Sequence, residues 1–175
     1  MCIRDRAVSG LFARDVGGPS VKPHQPAGYY RHLNFPTRRY KADTGSALWR
    51  RGLYVHWQRQ FLHPMLRAFD APRREECTAK RPRSNTPLAS LVLLNDPTFV
   101  EAAKAFAKRI RAEGGSDPDA RLRYAFHQAV SRKPDALELA TLRDFLKQEG
   151  GAEAEAAWFQ LARVLLNLSE AYVRR

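Results

Sequence analysis

Two proline steps within residues 69–100 constrain the fold of this chain more than any other feature. Thr86-Pro87 and Asp96-Pro97 each precede an apolar run, a pattern typical of a helix start. The polar side chain accepts a hydrogen bond from a first-turn amide, and proline removes only a donor that would be unpaired. The pattern predicts a short helix over 87–94 and a longer one from residue 97, whose apolar residues recur at intervals of three and four.

The second half of the chain continues in the same way, with stop and start signals separating amphipathic segments. We therefore expect a mainly α fold, a small bundle of about five to six helices with antiparallel neighbours. The last of these helices should bury Trp158 and the leucines that follow it. The signals are Gly114-Gly115, Asp117-Pro118, Asp135 with Glu138 as a capping box, and Gly150-Gly151.

The first half carries different patterns. Residues 17–28 hold three prolines and three glycines, which predicts an extended segment over the surface. Residues 29–43 interleave basic and aromatic side chains, as in single-stranded nucleic-acid platforms, although aromatic packing of a loop explains them too. Residues 46–61 place Trp49, Leu53 and Trp57 one helical turn apart, so we expect a helix there, while alternation at Leu53, Val55 and Trp57 leaves a strand open.

Positive charge is concentrated in the first half. The chain has 30 lysines and arginines against 18 acidic residues, a net charge of +12, and residues 1–85 account for +11 of it. Such a surplus attracts polyanions such as nucleic acid, sulfated glycan or anionic lipid. A solvated basic surface, or docking on an acidic neighbouring domain, would explain it equally.

The sequence lacks the patterns typical of metal sites, haem attachment, membrane spans and signal peptides. The cysteines, Cys2 and Cys77, form neither a zinc spacing nor a C-x-x-C-H haem attachment, and His56 and His63 match no zinc motif, so we expect no metal site. No stretch reaches the roughly 18 apolar residues of a membrane span. The N-terminus has no apolar signal-peptide core.

The loop before residue 86 is the candidate site, because its polar side chains precede a helix N-terminus. Candidate catalytic residues are Asp70, Glu75 and Cys77. Candidate anion- or ligand-binding residues are Arg73, Arg74, Arg81, Arg83 and Asn85. Structural roles compete with each: Asn85 can serve a helix cap, Cys77 can fill a small buried space, and Arg74 can pair with an acidic neighbour to fix the loop.

The same stretch resembles the planctomycete-type domain of unknown function numbered 1553. The family signature runs approximately FDAP-x-RE-x-C, a basic pair, then TNTPLQALxLLNDPxFVEAA. This chain departs from it at Ser84, Ala89 and Ser90, where the family usually has threonine, glutamine and alanine. The matching residues are Phe69, Asp70, Ala71, Pro72, Arg74, Glu75, Cys77, Arg81, 85–88, Leu91, 93–97 and 99–103.

The resemblance implies a C-terminal domain of exported, periplasmic proteins that often carry a cytochrome c module and are associated with polysaccharide breakdown. Residues 1–6 look like a sequencing-adapter remnant and therefore a non-native tail, so we expect a fragment of a longer chain. In that view residues 7–45 are the extended part of a truncated domain, and 46–175 are the helical C-terminal domain. Haem c would belong to upstream sequence, and we expect no cofactor in this chain.

Three functional hypotheses follow. The first is an accessory or interaction domain, whose partners would be N-terminal domains of the same chain. The second is a hydrolase-like enzyme that uses the loop from Asp70 to Asn85. The third is a polyanion-binding domain acting through the basic first half, where a polyanionic glycan is favoured over nucleic acid.

Overall fold

The computed structural model of the chain is mainly helical, which confirms the predicted fold class. The structure describes residues 3–31, 39–58, 61–73, 75, 77–80, 82, 84 and 86–172. Its helices are α1 (Ile3–Ser9), α2 (Pro64–Ala68), α3 (Pro87–Asn95), α4 (Pro97–Glu113), α5 (Pro118–Val130), α6 (Ala136–Gln148), α7 (Glu155–Leu166) and α8 (Ser169–Tyr172). Two short 3-10 helices, Ser46–Trp49 and Gly52–Tyr54, lie between α1 and α2.

The helix starts lie where the sequence predicts them. Thr86, Asp96 and Asp117 cap α3, α4 and α5, each accepting a hydrogen bond from a first-turn amide at 2.9–3.3 Å, and each helix has proline in its first position. Helix α6 begins with the predicted capping box, in which Asp135 and Glu138 accept each other's backbone N–H. Local sequence therefore determines where these helices begin.

Helix α4 is central to the bundle, packing against α1, α3, α5 and α7. Its buried face combines three large side chains, Phe99, Phe106 and Ile110, with alanines that allow close approach of the neighbouring helices. From α7, Trp158 is fully buried, and its indole N–H donates to the Ala152 carbonyl oxygen at 2.7 Å. Each large apolar side chain buried in this way contributes about 1.5–3 kcal/mol.

Helix α1 joins this core from the opposite end of the chain. Val8 belongs to the core, Asp5 and Arg6 are buried, and an Arg4 guanidinium nitrogen donates to the Leu166 carbonyl oxygen at 3.1 Å. Residues 3–6, which we expected to be a non-native tail, thus form the first part of a helix packed on α4. The division into residues 1–6, 7–45 and 46–175 stays a prediction.

The helix predicted over residues 46–61 is wrong. Apart from residues 59 and 60, which lie outside the described part, the segment has two 3-10 turns and then extends at Val55. Val55 pairs with Val21 in a parallel bridge, so the alternating pattern was the better guide. Glycines at 45 and 52 weaken a continuous helix, and Leu53 is 76% exposed although it was expected on the buried stripe.

Contacts with the extended segment explain why residues 46–61 adopt this path. The buried Arg50 guanidinium donates to the carbonyl oxygens of Gly17 and Pro19 and lies over the Tyr54 ring. The Tyr54 hydroxyl accepts from the Gly17 amide at 2.9 Å. The Arg50 guanidinium therefore supplies hydrogen-bond donors to backbone carbonyl oxygens of the extended segment, which is not helical and does not pair these oxygens within a helix.

His63 fixes the extended segment to α2. It is 4% exposed; Nε2 lies 2.9 Å from the His24 carbonyl oxygen, and Nδ1 accepts from the Met65 amide at the start of α2. This pairing requires a neutral ring with its proton on Nε2. Burial lowers the pKa of His63 below 6.5, although the His24 carbonyl and the charge of Asp96 oppose the shift.

Replacing Ser131 with glycine should stabilise the bundle. Ser131 ends α5 in the left-handed region, at φ 62° and ψ 22°, where a Cβ atom costs roughly 1 kcal/mol and glycine is favoured. We expect Ser131→Gly to raise the free energy of unfolding by about 0.5–1 kcal/mol in urea denaturation. Ser131→Ala, which retains Cβ, is the control, and equal stabilisation by both variants would contradict the explanation.

Acid should weaken the attachment of the extended segment through His63. Because the folded pKa of His63 is lowered, the unfolded chain binds the extra proton more readily, so this stability is complete above pH 6.5 and is lost as pH falls below it. We expect His63→Asn, which cannot titrate but can cap α2, to reduce the dependence of unfolding free energy on pH between about 7 and 5.

The wild-type chain is the reference for this measurement. If His63→Asn and wild type lose stability in parallel over this range, His63 is not the responsible group.

Candidate functional site

The candidate loop leaves α2 through a turn built around Asp70. Asp70 has φ 55°, in the left-handed region that aspartate tolerates better than most residues, and the Ala71 amide donates to the Leu66 carbonyl oxygen at 2.9 Å. The chain thereby reverses direction at the end of α2 and continues toward α3. Asp70 is consequently fixed by the backbone as well as by its side chain.

The Asp70 carboxylate closes the loop. It accepts from the Ser84 amide at 2.7 Å and from the Ser84 hydroxyl at 2.7 and 2.8 Å. A carboxylate held by an amide and a hydroxyl ties residue 84 to the end of α2. A general base or nucleophile needs a carboxylate that can reach a reacting atom, so this geometry favours the structural role for Asp70.

The braced loop and α2 enclose a cleft of about 500 Å³, which we call the loop cleft. This volume lies in the range of small-ligand sites. Its apolar surface comes from leucine, alanine and proline, and its polar surface from two arginines, two carboxylates and a threonine. The lining residues are Leu62, Arg67, Asp70, Ala71, Pro72, Arg73, Glu75, Thr78 and Pro82.

The two arginines of the loop cleft have no side-chain partner among the described residues. Arg67 and Arg73 are exposed, and neither guanidinium makes a hydrogen bond or ion pair within the described part of the chain. The nearby Asp70 carboxylate is engaged by Ser84, which leaves Glu75 as the other acidic side chain of the cleft. Planar guanidinium groups in a partly apolar cleft are suited to carboxylate, sulfate or phosphate groups.

The structure places some of the predicted site residues together in the loop cleft. Asp70, Arg73 and Glu75 line one cleft, whereas Cys77 is exposed with a free thiol and is not among the lining residues. The remaining candidates lie outside the described residues: Arg74, Arg81, Arg83 and Asn85. The sequence did not predict Arg67 as a site residue, because it belongs to α2 and not to the loop. Its position in the last turn of that helix, just before the loop, could have indicated it.

The aromatic residues near the basic segment pack on one another. Tyr29 and Tyr30 contact Phe61, Tyr30 contacts Tyr40, and all four rings are half-buried. The Tyr29 hydroxyl donates to the Leu62 carbonyl oxygen at 2.8 Å, beside the loop cleft. Burial raises the pKa of the Tyr40 hydroxyl, which donates to a carbonyl oxygen of the extended segment. Residues 32–38 of this segment lie outside the described residues.

Across the described ranges, no group of three or more histidine, cysteine, aspartate or glutamate side chains has the arrangement of a metal site. Among the helices of the described chain, none combines the length and the apolar character needed to cross a bilayer.

Comparison with known proteins gives one match. No curated protein and no solved structure matches this chain. A family model described as PSD1, protein of unknown function (DUF1553), matches residues 2–146. The match includes α1 through most of α6, and it begins at residue 2, within the part that we expected to be a non-native tail. Because the family model matches most of this chain, the chain belongs to the DUF1553 family of proteins of unknown function.

Proposed function

We propose that this protein is an interaction domain that binds a polyanionic ligand, a glycan carrying sulfate or carboxylate groups, in the loop cleft. The observation that carries the proposal is the pair of exposed arginines, Arg67 and Arg73, whose guanidinium groups have no partner among the described residues, in a cleft of about 500 Å³. Each can bind an oxyanion through two parallel N–H donors. The positive surplus of residues 1–85 would raise the local concentration of such a ligand.

Binding is better supported than hydrolysis. The enzyme hypothesis depends on Asp70, Glu75 or Cys77, yet the Asp70 carboxylate is engaged by Ser84 and Cys77 is not among the residues that line the cleft. Binding needs only the arginines and the apolar lining. The hydrolase alternative, the exported location and the association with cytochrome c modules all stay predictions.

An exposed apolar face supports the accessory role. Helix α3 is apolar along most of its length, yet Leu88 and Leu91, three residues apart, are each 57% exposed. Helices that are apolar all round are usually buried. This face agrees with the proposal that the domain works beside N-terminal domains of the same chain.

Removing the arginines should weaken glycan binding. With a sulfated polysaccharide such as heparin as the probe, we expect Arg67→Ala and Arg73→Ala each to reduce affinity by about twofold to fivefold, the range for exposed ion pairs. Affinity should also fall as the salt concentration rises from about 50 to about 200 mM. Binding releases counterions from the polyanion, and added salt opposes this release. Isothermal titration calorimetry measures both effects, and thermal denaturation checks that the exposed substitutions leave the fold intact.

Arg123→Ala is the matched control, because Arg123 is also an exposed helical arginine but lies on α5. An equal loss of affinity in this control would mean that general surface charge binds the glycan, and the loop-cleft proposal would fail. A single-stranded oligonucleotide that bound more tightly than heparin would favour the nucleic-acid alternative.

A further inference from the structure

A second cleft, of about 600 Å³, lies between α1 with the residues that follow it and the C-terminal half of α4. We call it the α1–α4 cleft. It shares no lining residue with the loop cleft, and its charged residues come from segments far apart in sequence. Its lining residues are Ala7, Ser9, Gly10, Phe12, Arg14, Lys108, Arg109, Ala112 and Glu113.

Arg109 is held in place on one side of this cleft. Its Nε donates to both carboxylate oxygens of Glu113, at 3.0 and 2.9 Å. Its Nη1 donates to the carbonyl oxygens of Ala7 and Val8, at 3.3 and 3.0 Å, in the last turn of α1. The cation thus donates to carbonyl oxygens at the C-terminus of α1, of which that of Ala7 also accepts from the Gly10 amide. Its position is fixed before any ligand arrives.

Both carboxylate oxygens of Glu113 accept hydrogen bonds from neighbouring side chains. Its carboxylate accepts from the Tyr124 hydroxyl as well as from Arg109, and these two hydrogen bonds lower the pKa of Glu113 below its ordinary value. The carboxylate therefore remains ionised at neutral pH and is committed to Arg109 and Tyr124. It does not compensate the other cations of the cleft.

Arg14 and Lys108 are those other cations. Both are exposed, and neither side chain makes a hydrogen bond or ion pair within the part of the chain that the structure describes. The lining thus holds three cationic side chains and one acidic side chain, and the acidic one is already engaged. A convergent excess of positive charge in a concave surface attracts anions more strongly than the same charges on a flat surface.

The apolar part of the lining indicates what the anion is attached to. Phe12 is half-buried, so part of its ring remains accessible, and Ala112 lies across the cleft on α4. Gly10 turns the chain after α1 with φ 79°, and a Cβ atom at this position would lie 3.8 Å from the Arg109 side chain. An accessible ring beside three cations suits a ligand with an aromatic or apolar group next to its charge.

We propose that the α1–α4 cleft binds an organic phosphate or sulfate ester, with its oxyanion at Arg14, Lys108 and Arg109 and its aromatic or apolar group on Phe12. The three cations match the multiple oxygens of a tetrahedral oxyanion. This site is separate from the loop cleft and does not depend on the function proposed above.

The test is a titration of the ¹⁵N-labelled 175-residue chain with phenyl phosphate at neutral pH, followed by ¹H–¹⁵N correlation spectra. We expect saturable shifts of the Gly10 and Ala112 amides. Arg14→Ala and Lys108→Ala should each weaken binding by about threefold to tenfold, the range between exposed and charge-assisted contacts. Phe12→Leu should weaken binding of phenyl phosphate but not of inorganic phosphate.

Arg123→Ala and Lys133→Ala are the matched controls, because both residues are exposed cations outside the cleft. They should leave the affinity unchanged. Phenyl sulfate, tested in parallel, identifies which ester the site takes. Absence of saturable shifts at Gly10 and Ala112 with all three probes would overturn the proposal, as would an equal loss of affinity in the controls.

Discussion

Burial of α4 between helices from both ends of the chain is the constraint on which the rest of the structure depends. Phe106 and Ile110 are inaccessible to solvent, and the alanines beside them let α1 and α7 approach closely. Asp96 then connects this core to the candidate site. Its amide donates to the Val92 carbonyl oxygen at the end of α3, while its carboxylate caps α4. Helix α3 also packs against α2, which contributes Arg67 to the loop cleft, so α3 connects the cleft to α4.

Charge is used differently in the two halves of the chain. The second half carries nearly balanced charges, and several of its arginines pair with carboxylates on neighbouring helices. Arg143 pairs with Asp119 between α6 and α5, and Arg132 joins Glu138 of α6 to Glu170 of α8. In the described first half, cations such as Arg14 and Arg67 have no such partners. The loop cleft therefore takes both of its arginines from the half with the charge surplus, whereas the α1–α4 cleft combines Arg14 of that half with two cations of α4.

The sequence predicted the structure where the determinants are local. The capped helices α3 to α6 follow from residues within one turn of each helix end, so their starts were predictable. Residues 46–61 were mispredicted because Arg50 and Val55 make their decisive contacts with residues 17–21, and no local periodicity encodes those contacts. The candidate site shows the same division. Arg73 and Glu75 were predicted from composition, whereas the bond from Asp70 to Ser84 depends on how a loop of this length closes.

The long separation in sequence between α1 and its partners has a consequence for synthesis. Helix α1 is made before α4 but packs on it, and Arg4 contacts a carbonyl oxygen near the end of α7, 162 residues later. On the ribosome, the apolar faces of α1 and α4 therefore lack part of their final cover until α7 has emerged. Such late closure slows folding and leaves apolar surface open to aggregation or to chaperones in the interval.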